Sequence, residues 1–438
     1  MQHLFKKAGG TFSLRIASMF FAFVMGVIHA RLMGSTGSGI YDYSTSWVYL
    51  LAIPASLGFN GLLGREIALY QTEAEWEKLV GLKRWASLLT LIISVGLALV
   101  AGTIAWHTIQ DETSQLTWAF WMAMVSLPFL SLRMIYRAMM RGLDKIVVGL
   151  MPEMIWAPFV QLTVVVFIVV GIQNELTASS AVIAFSLSTG LSLIISILTA
   201  SRFLPEKVKA AKPSYERLTW LKCAVPFMLL ESLNEINSRV DILMIGNLDS
   251  VSAAGIYNPV NRGSLLITFV LMAFKGPLSP TITTLFAKGE LQELQRILTK
   301  TARVVVVFSG LATISFLIFG NQYLKIYGSE FTKGLGALNI RCLGLFVYAV
   351  VAGHSSTVLS MTGYARFTAI SSILATGMNI VLNMLLIPIY GINGAAIATT
   401  TSLLVSGAIN ANQVHKTVGL RPTILRDIMK LRDVFHFK

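Results

Sequence analysis

Ala224 to Gly246 reads AVPFMLLESLNEINSRVDILMIG, long enough to cross a bilayer yet carrying Glu231, Glu235, Arg239 and Asp241. Mid-helix in lipid, four charges cost roughly 10–14 kcal/mol, against a return of about 3–6 kcal/mol from the Leu, Ile, Val and Phe side chains. The charges therefore face water or one another. At helical spacing Glu231, Asn234, Glu235, Ser238, Arg239 and Asp241 form one polar stripe, with Leu229, Leu233, Ile236, Val240 and Leu243 on the remaining surface. Such a helix belongs in a polytopic membrane protein with a wet interior.

Of the 438 residues 55% are hydrophobic and only 13% charged, and the mean hydropathy is +0.69, far too apolar for a soluble protein. The net charge of +14 raises nucleic-acid binding as a function, but the Lys and Arg residues sit between apolar segments and not on a soluble domain, which excludes it. Cys223 and Cys342 both fall within apolar segments, giving neither a disulfide framework nor metal-ligand spacing, and are expected to pack. Met1 to Gly10 has the positive start of a signal peptide. The apolar run behind it continues past twenty residues without a small-residue cleavage site, so a retained first helix is expected.

Windows of about twenty residues predict an all-α chain with twelve spans, near 9–32, 38–64, 84–107, 116–137, 146–171, 178–201, 219–246, 254–285, 303–327, 335–361, 366–389 and 392–414. Connections are short, and the longest, RFLPEKVKAAKPSYER at 202–217, is basic and contains proline. With both termini cytoplasmic, 25 of the 35 Lys and Arg residues lie on the cytoplasmic side, including 137–145, and only Arg31, Lys325 and Lys333 on the other. The remaining seven, Arg15, Arg133, Lys222, Arg239, Arg262, Lys275 and Arg341, are within spans; Lys222 and Arg133 are expected to snorkel to the boundary. From Leu420 the tail places Ile424, Ile428, Leu431 and Phe435 at helical spacing among basic residues, which suits a helix on an anionic leaflet.

The chain repeats once. Gly39-Ile40-Tyr41 falls on Gly255-Ile256-Tyr257, EWEKLVGLKR from Glu75 on ELQRILTKTAR from Glu293, and the segment near Gly171 on that near Gly391, at nearly constant offsets. Six spans per half make this a parallel repeat about an axis along the membrane normal, as in alternating-access transporters. The expected organisation is an N-terminal six-helix lobe over 1–201, a cytoplasmic basic linker over 202–217, a C-terminal six-helix lobe over 218–415 and a cytoplasmic amphipathic tail over 416–438. Pro54, Pro128, Pro152, Pro158, Pro226, Pro259, Pro277 and Pro280 lie within spans, where lost backbone bonds need compensation and some helices should bend.

The two halves, the Gly-Ile-Tyr after the first span of each, RVDILMIG at 239–246 and PIYGINGAAIATT at 388–400 resemble the polysaccharide and O-antigen flippases of the multidrug, oligosaccharidyl-lipid and polysaccharide exporter superfamily. That resemblance implies two pseudo-symmetric six-helix lobes forming a V-shaped central cavity. It also implies a transporter that moves a polyisoprenyl-diphosphate-linked oligosaccharide, with O-antigen repeat units the usual cargo, to the outer leaflet of a bacterial inner membrane. Membrane lipids and a glycan-assembly polymerase are the partners it suggests. The similar lipid II flippases carry two further spans, which favours the O-antigen type here.

A diphosphate crossing hydrocarbon needs a cationic path, and arginine suits it because its planar fork donates to two oxygens and stays charged when partly desolvated. Arg15, Arg239, Arg262, Lys275 and Arg341 are the substrate-binding candidates. Arg239 has a second reading as an internal pair with Glu235, four residues before it. Asp42, Glu153, Glu231, Glu235 and Asp241 are the candidates for ion coupling or charge pairing, with Glu231 expected opposite Arg15 and a coupling H+ or Na+ as the only small partner besides substrate. Tyr41, Tyr43, Trp47, Tyr257 and Tyr348 are placed to stack on sugars or to anchor at the interface. His29 and His354 lack companion ligands, and neither a nucleophile motif, a phosphate loop nor a metal cluster is present, so a transporter and not an enzyme is expected. A small-molecule or multidrug antiporter of the same superfamily is the alternative. A membrane glycan polymerase or ligase is third, since no outer loop is large enough to hold a catalytic site.

Overall fold

The computed structural model describes residues 2–108, 114–173 and 175–421. Beyond Arg421, the amphipathic tail expected from Leu420 therefore lies outside the described residues, as does the side chain of Asn234 in the polar stripe. Among the described residues regular structure is helical throughout: α1 (Gln2–Ser56), α2 (Phe59–Glu73), α3 (Trp76–Thr108), α4 (Ser114–Gly142) and α5 (Ile146–Met151). A π-helical turn at Pro152–Trp156 joins α5 to α6 (Ala157–Ile168), and α7 (Ala178–Phe203), α8 (Glu206–Ala210) and α9 (Arg217–Leu248) follow. The remainder is α10 (Val251–Ala287), α11 (Leu291–Tyr327), α12 (Leu335–Val351), α13 (Ser355–Met361), α14 (Ala365–Tyr390) and α15 (Ile392–Val418).

Among the described residues ten helices are long and apolar enough to cross a membrane, against the twelve spans expected. Two physical causes account for the difference. The first two spans run together within α1, where a kink at Gly34 (φ 67°, ψ −174°) parts two helices in a conformation open to glycine because no Cβ is present. α9 is long enough, but Glu231, Glu235, Arg239 and Asp241 deny it any sufficiently apolar window. On the outer helices the exposed faces are apolar: Leu88, Ile92, Val95 and Leu99 on α3, and Val307, Leu311, Ile314 and Ile318 on α11, recur every three or four residues as a lipid-facing stripe requires.

The chain divides into two compact units, Met1–Arg239 and Val240–Lys438, and α9 passes from one to the other. The first unit is built on Phe59, Leu62, Leu63, Leu79, Leu82, Met139 and Trp220, all nearly inaccessible. α2 starts against α9 at Gly58 (φ 76°), where a Cβ would run into the Ala224 carbonyl and the Met228 amide, so only glycine permits the approach. The 202–217 segment is anchored within this unit: Ser214 N donates to Glu77 O at 3.0 Å, and Lys78 pairs with Glu75 at 2.9 Å and Glu216 at 3.0 Å. Trp220 Nε1 donates to the Tyr70 hydroxyl at 2.9 Å. Burial holds that phenol above its ordinary pKa, with the Trp220 bond opposing.

In the second unit, Ile242, Ile245, Tyr257, Val260, Ala337, Leu338 and Cys342 form one core, and Leu278, Ile282, Leu294, Leu298, Val358 and Val414 another. Both cysteines are free and Cys342 is buried, consistent with packing. Helix ends are capped by side chains where the chain supplies them: Thr177 and Ser180 form a capping box at α7, and the Ser250 side chain accepts from Ala253 N at 3.1 Å at α10.

Candidate functional site

Two polar constellations lie inside apolar helices, one in each unit. In the first, α4 presents Arg133, Arg137 and Arg141 at four-residue intervals, hence on one face. Arg137 Nη1 pairs with Glu153 Oε2 at 2.6 Å and also interacts electrostatically with Glu231 and Glu235 on α9. Glu153 stands in the π-helical turn that opens at Pro152. Pro152 O is held twice, by the Ala157 amide that closes the π turn and by Ser192 Oγ at 2.7 Å. Insertions of this kind re-aim a helix's side chains and recur at functional sites. Glu231 Oε1 accepts from Asn60 Nδ2 at 2.8 Å, and the Asn60 carbonyl accepts from Arg141 Nη2 at 2.6 Å. Arg239 pairs with Glu235 at 3.3 Å and lies 4.3 Å above the Tyr49 ring, so both faces of its guanidinium environment are furnished locally.

These contacts correct three expectations. Glu231 is not partnered by Arg15: its bond goes to Asn60, and Arg137 and Arg141 supply the nearby positive charge, while Arg15 is exposed on α1. Arg133 does not snorkel. It is 3% exposed, turned into the protein by its place on the inner face of α4. Arg137 and Arg141 belong to α4, which continues to Gly142, past the span end expected at 137. Asp42 is half-buried in α1 beside Tyr41, whose hydroxyl accepts from Gln161 Nε2 at 2.8 Å.

The second constellation surrounds Asp241, 6% exposed. Its carboxylate accepts from Tyr257 Oη (3.1 Å), Asn379 Nδ2 (3.4 Å), Asn383 Nδ2 (3.0 Å) and Thr399 Oγ1 (2.5 Å). Four elements, α9, α10, α14 and α15, thus converge on one carboxylate whose hydrogen-bond donors are all neutral. Asn383 Oδ1 is buried without a partner. One carboxylate ringed by amide and hydroxyl groups, whose Asn side chains can present either end, is a donor set suited to a small hard monovalent cation. Nearby, Arg341 is 5% exposed and donates to Asn261 Oδ1 at 2.7 Å, and Arg262 Nε donates to Asn258 Oδ1 at 3.2 Å. Lys275 is exposed on α10.

Sugar stacking is not open to all the aromatic candidates: Tyr257 is fully buried, and Tyr41 and Tyr43 are buried too. His354 is 2% exposed, and His29 packs edge-on against Tyr41 at 4.4 Å. Among the described residues no group of His, Cys, Asp and Glu is arranged to hold a metal ion. From sequence, nothing sets Asn60, Thr399 or Tyr49 apart from other residues of polar helix faces. The Arg133-Arg137-Arg141 interval and the Asn379-Asn383 pair in an apolar helix were signals of the same kind as the 231–241 stripe.

Residues 4–286 match the family model described as polysaccharide biosynthesis protein, and residues 226–385 match the MatE model. The chain is 25% identical over 296 residues to the probable flippase AglR of Haloferax volcanii, a match covering 65% of this chain and 58% of that relative. The chain thus spans less than two thirds of that relative's length. Among solved structures, it resembles an inward-facing multidrug resistance MATE family transporter of the MOP superfamily, with TM-score 0.73 and 12% identity over 92% of this chain and 94% of that one. It also resembles the lipid II flippase MurJ in an inward closed conformation, with TM-score 0.67 and 16% identity over 92% and 86%. With the first match running over more than half of its residues, the chain belongs to the polysaccharide biosynthesis protein family and has the helical membrane fold of the MOP superfamily.

Proposed function

We propose that this protein is a flippase that carries a polyisoprenyl-diphosphate-linked oligosaccharide, of O-antigen-repeat type, across a bacterial cytoplasmic membrane by alternating access. The observation that carries this reading is the placement of Arg133, Arg137, Arg239, Arg262 and Arg341 within the helical bundle of a membrane protein, buried or half-buried. A charge there costs several kcal/mol and persists where a function requires it; an anionic headgroup is such a requirement. The family match and the flippase name of the Haloferax volcanii relative support the cargo class.

The finer parts of the proposal are these. The chain makes twelve crossings, counting kinked α1 as two and including α9, with both termini cytoplasmic and a parallel six-helix repeat. Arg15, Arg239, Arg262, Lys275 and Arg341 meet the substrate's anionic group. Glu153, Glu231 and Glu235 are charge partners in the first unit. Asp241 is the coupling site, and its neutral oxygen-rich surroundings favour Na+ over a proton. A multidrug antiporter shares the fold, but a cationic cargo calls for an acidic interior, and the arginines above argue against one.

Vesicles reconstituted with the protein and a fluorescent polyprenyl-diphosphate saccharide test the reading. Protein-dependent movement of the label to the opposite leaflet is expected, and unchanged sidedness across several saccharides would sink it.

A further inference from the structure

We propose that Arg133, Arg137 and Arg141 of α4 form an anchoring site for the diphosphate of the cargo, occupied at rest by the protein's own Glu153, which yields Arg137 when the diphosphate arrives. This rests on the flippase reading and adds to it a site on a helix that the substrate candidates above do not include.

The geometry carries it in four steps. Eight residues of helix separate Arg133 from Arg141, so the three guanidinium groups rise along about 12 Å of one face, enough to meet two phosphates in succession. Arg133 is 3% exposed, and its Nε is buried without a hydrogen-bond partner, an unmet donor beside the carboxylate that holds Arg137. Glu231 Oε2 is likewise buried without a partner while its other oxygen takes the Asn60 amide. A site with one unmet cationic donor and one unmet carboxylate acceptor calls for a ligand that offers both an anionic oxygen and a hydroxyl. A diphosphate bonded to a sugar does so: phosphate oxygens for the arginines, a sugar hydroxyl for Glu231.

Arg141 completes the ladder through α2. Its guanidinium lies across Gly64, where an added Cβ would be 2.7 Å from Nε, and it is bonded to the Asn60 carbonyl. Asn60 therefore links the outermost arginine to Glu231, so that displacement at one end is felt at the other. Glu153 fits the part of a displaceable occupant. It reaches Arg137 from a π turn and not from a regular helix, and the pair is about a quarter exposed on each side, open enough for a competing anion to enter.

Isothermal titration of the full chain in detergent micelles with geranyl diphosphate, inorganic pyrophosphate and geraniol separates this site from alternatives. Geranyl diphosphate should bind, geraniol should not, and the prenylated form should bind tighter than pyrophosphate; equal affinities would mark a soluble diphosphate ligand and overturn the lipid-borne assignment. Glu153→Gln should tighten geranyl diphosphate binding about tenfold, because a competing carboxylate is removed, and Arg137→Gln should weaken it at least about tenfold. If Glu153 merely braces the fold, Glu153→Gln will weaken binding or leave it unchanged, which overturns the proposal. The double variant Arg137→Gln/Glu153→Gln removes the pair without leaving a lone charge. It should bind as weakly as Arg137→Gln, and wild-type affinity in the double variant would also overturn the proposal. A wild-type protein that flips lipid-linked saccharide yet shows no effect of these substitutions defeats the anchoring site alone. One that neither flips saccharide nor binds geranyl diphosphate defeats the flippase reading itself.

Discussion

Replacing Asp241 separates its structural work from its proposed work in coupling. The carboxylate accepts four hydrogen bonds while 6% exposed, and bonds to a charged acceptor each contribute about 1.5–3 kcal/mol. Their sum overstates the cost of Asp241→Ala, because two donors have fallback partners. Asn379 Nδ2 also reaches Thr399 Oγ1 at 3.1 Å, and Thr399 Oγ1 reaches the Ala395 carbonyl at 3.0 Å. Tyr257 Oη and one Asn383 N–H remain stranded, so Asp241→Ala should destabilise the protein by about 3–5 kcal/mol. Asp241→Asn keeps the shape and one acceptor oxygen and should cost about 2–3 kcal/mol. If the site holds Na+, saturating sodium at a hundred times its dissociation constant should stabilise the wild type by about 2.7 kcal/mol over the same concentration of choline, and both variants should lose that increment. Unfolding in mixed micelles, with sodium and choline in parallel, reads both quantities. A cost below 1 kcal/mol for Asp241→Ala would refute the hydrogen-bond accounting, and sodium dependence surviving in Asp241→Asn would refute the coupling assignment.

Arg262→Ala and Arg15→Ala should each abolish glycan export in a transport-null strain while the protein still accumulates folded in the membrane; full complementation by both would defeat their place on the path. Gly81→Ala should release the 202–217 segment, since the new Cβ would collide with the Ser214 carbonyl, and a collision with backbone has no side-chain escape. A loss of about 1–3 kcal/mol is expected, with limited trypsin digestion at Lys212 and Arg217 accelerated severalfold. Trp220→Phe removes the Nε1 donor from the Tyr70 hydroxyl in a side chain 1% exposed and should cost about 1–2 kcal/mol. Tyr70→Phe added to it should cost less than additively, which a double-mutant cycle in chemical denaturation measures.

The membrane class was legible because it rests on composition and period, properties that survive without knowledge of neighbours. Lengths of apolar sequence locate α4, α7, α10, α14 and α15 to within about five residues at each end, whereas α3 and α11 begin well before the spans expected at 84–107 and 303–327. What failed was local. The break between the first two spans was legible, since the Gly34 kink parts two helices within 2–56 where 9–32 gives way to 38–64, but the glycine conformation itself has no signature in an apolar run that already contains several glycines. Burial of Arg133 was illegible for a related reason: its distance from the helix end suggests snorkelling, and only the rotation of α4 decides whether the side chain faces lipid or protein.

Partner choice was the harder matter, and the repeat misdirected it. Aligning the halves at their common offset sets Glu231 across from Arg15, yet quasi-equivalent positions in two repeats have no need to touch. Glu231 instead meets Asn60 and the arginines of α4, all reached through the start of α2 at Gly58. Charges inside a membrane protein are costly enough that each must find compensation, so the informative question is which opposite charges share a helix face and how far each face turns. Applied to α4, that question returns Arg133, Arg137 and Arg141 from their spacing alone. Applied to α14, it returns Asn379 and Asn383, which converge on Asp241 with no formal charge of their own. The polar stripe of α9 therefore divides. Its early carboxylates, Glu231 and Glu235, interact electrostatically with Arg137, and its last, Asp241, sits among neutral donors. A carboxylate near arginines is a rival to an anionic ligand, whereas a carboxylate among amides and hydroxyls is a seat for a cation, so one helix carries acidic groups suited to opposite tasks.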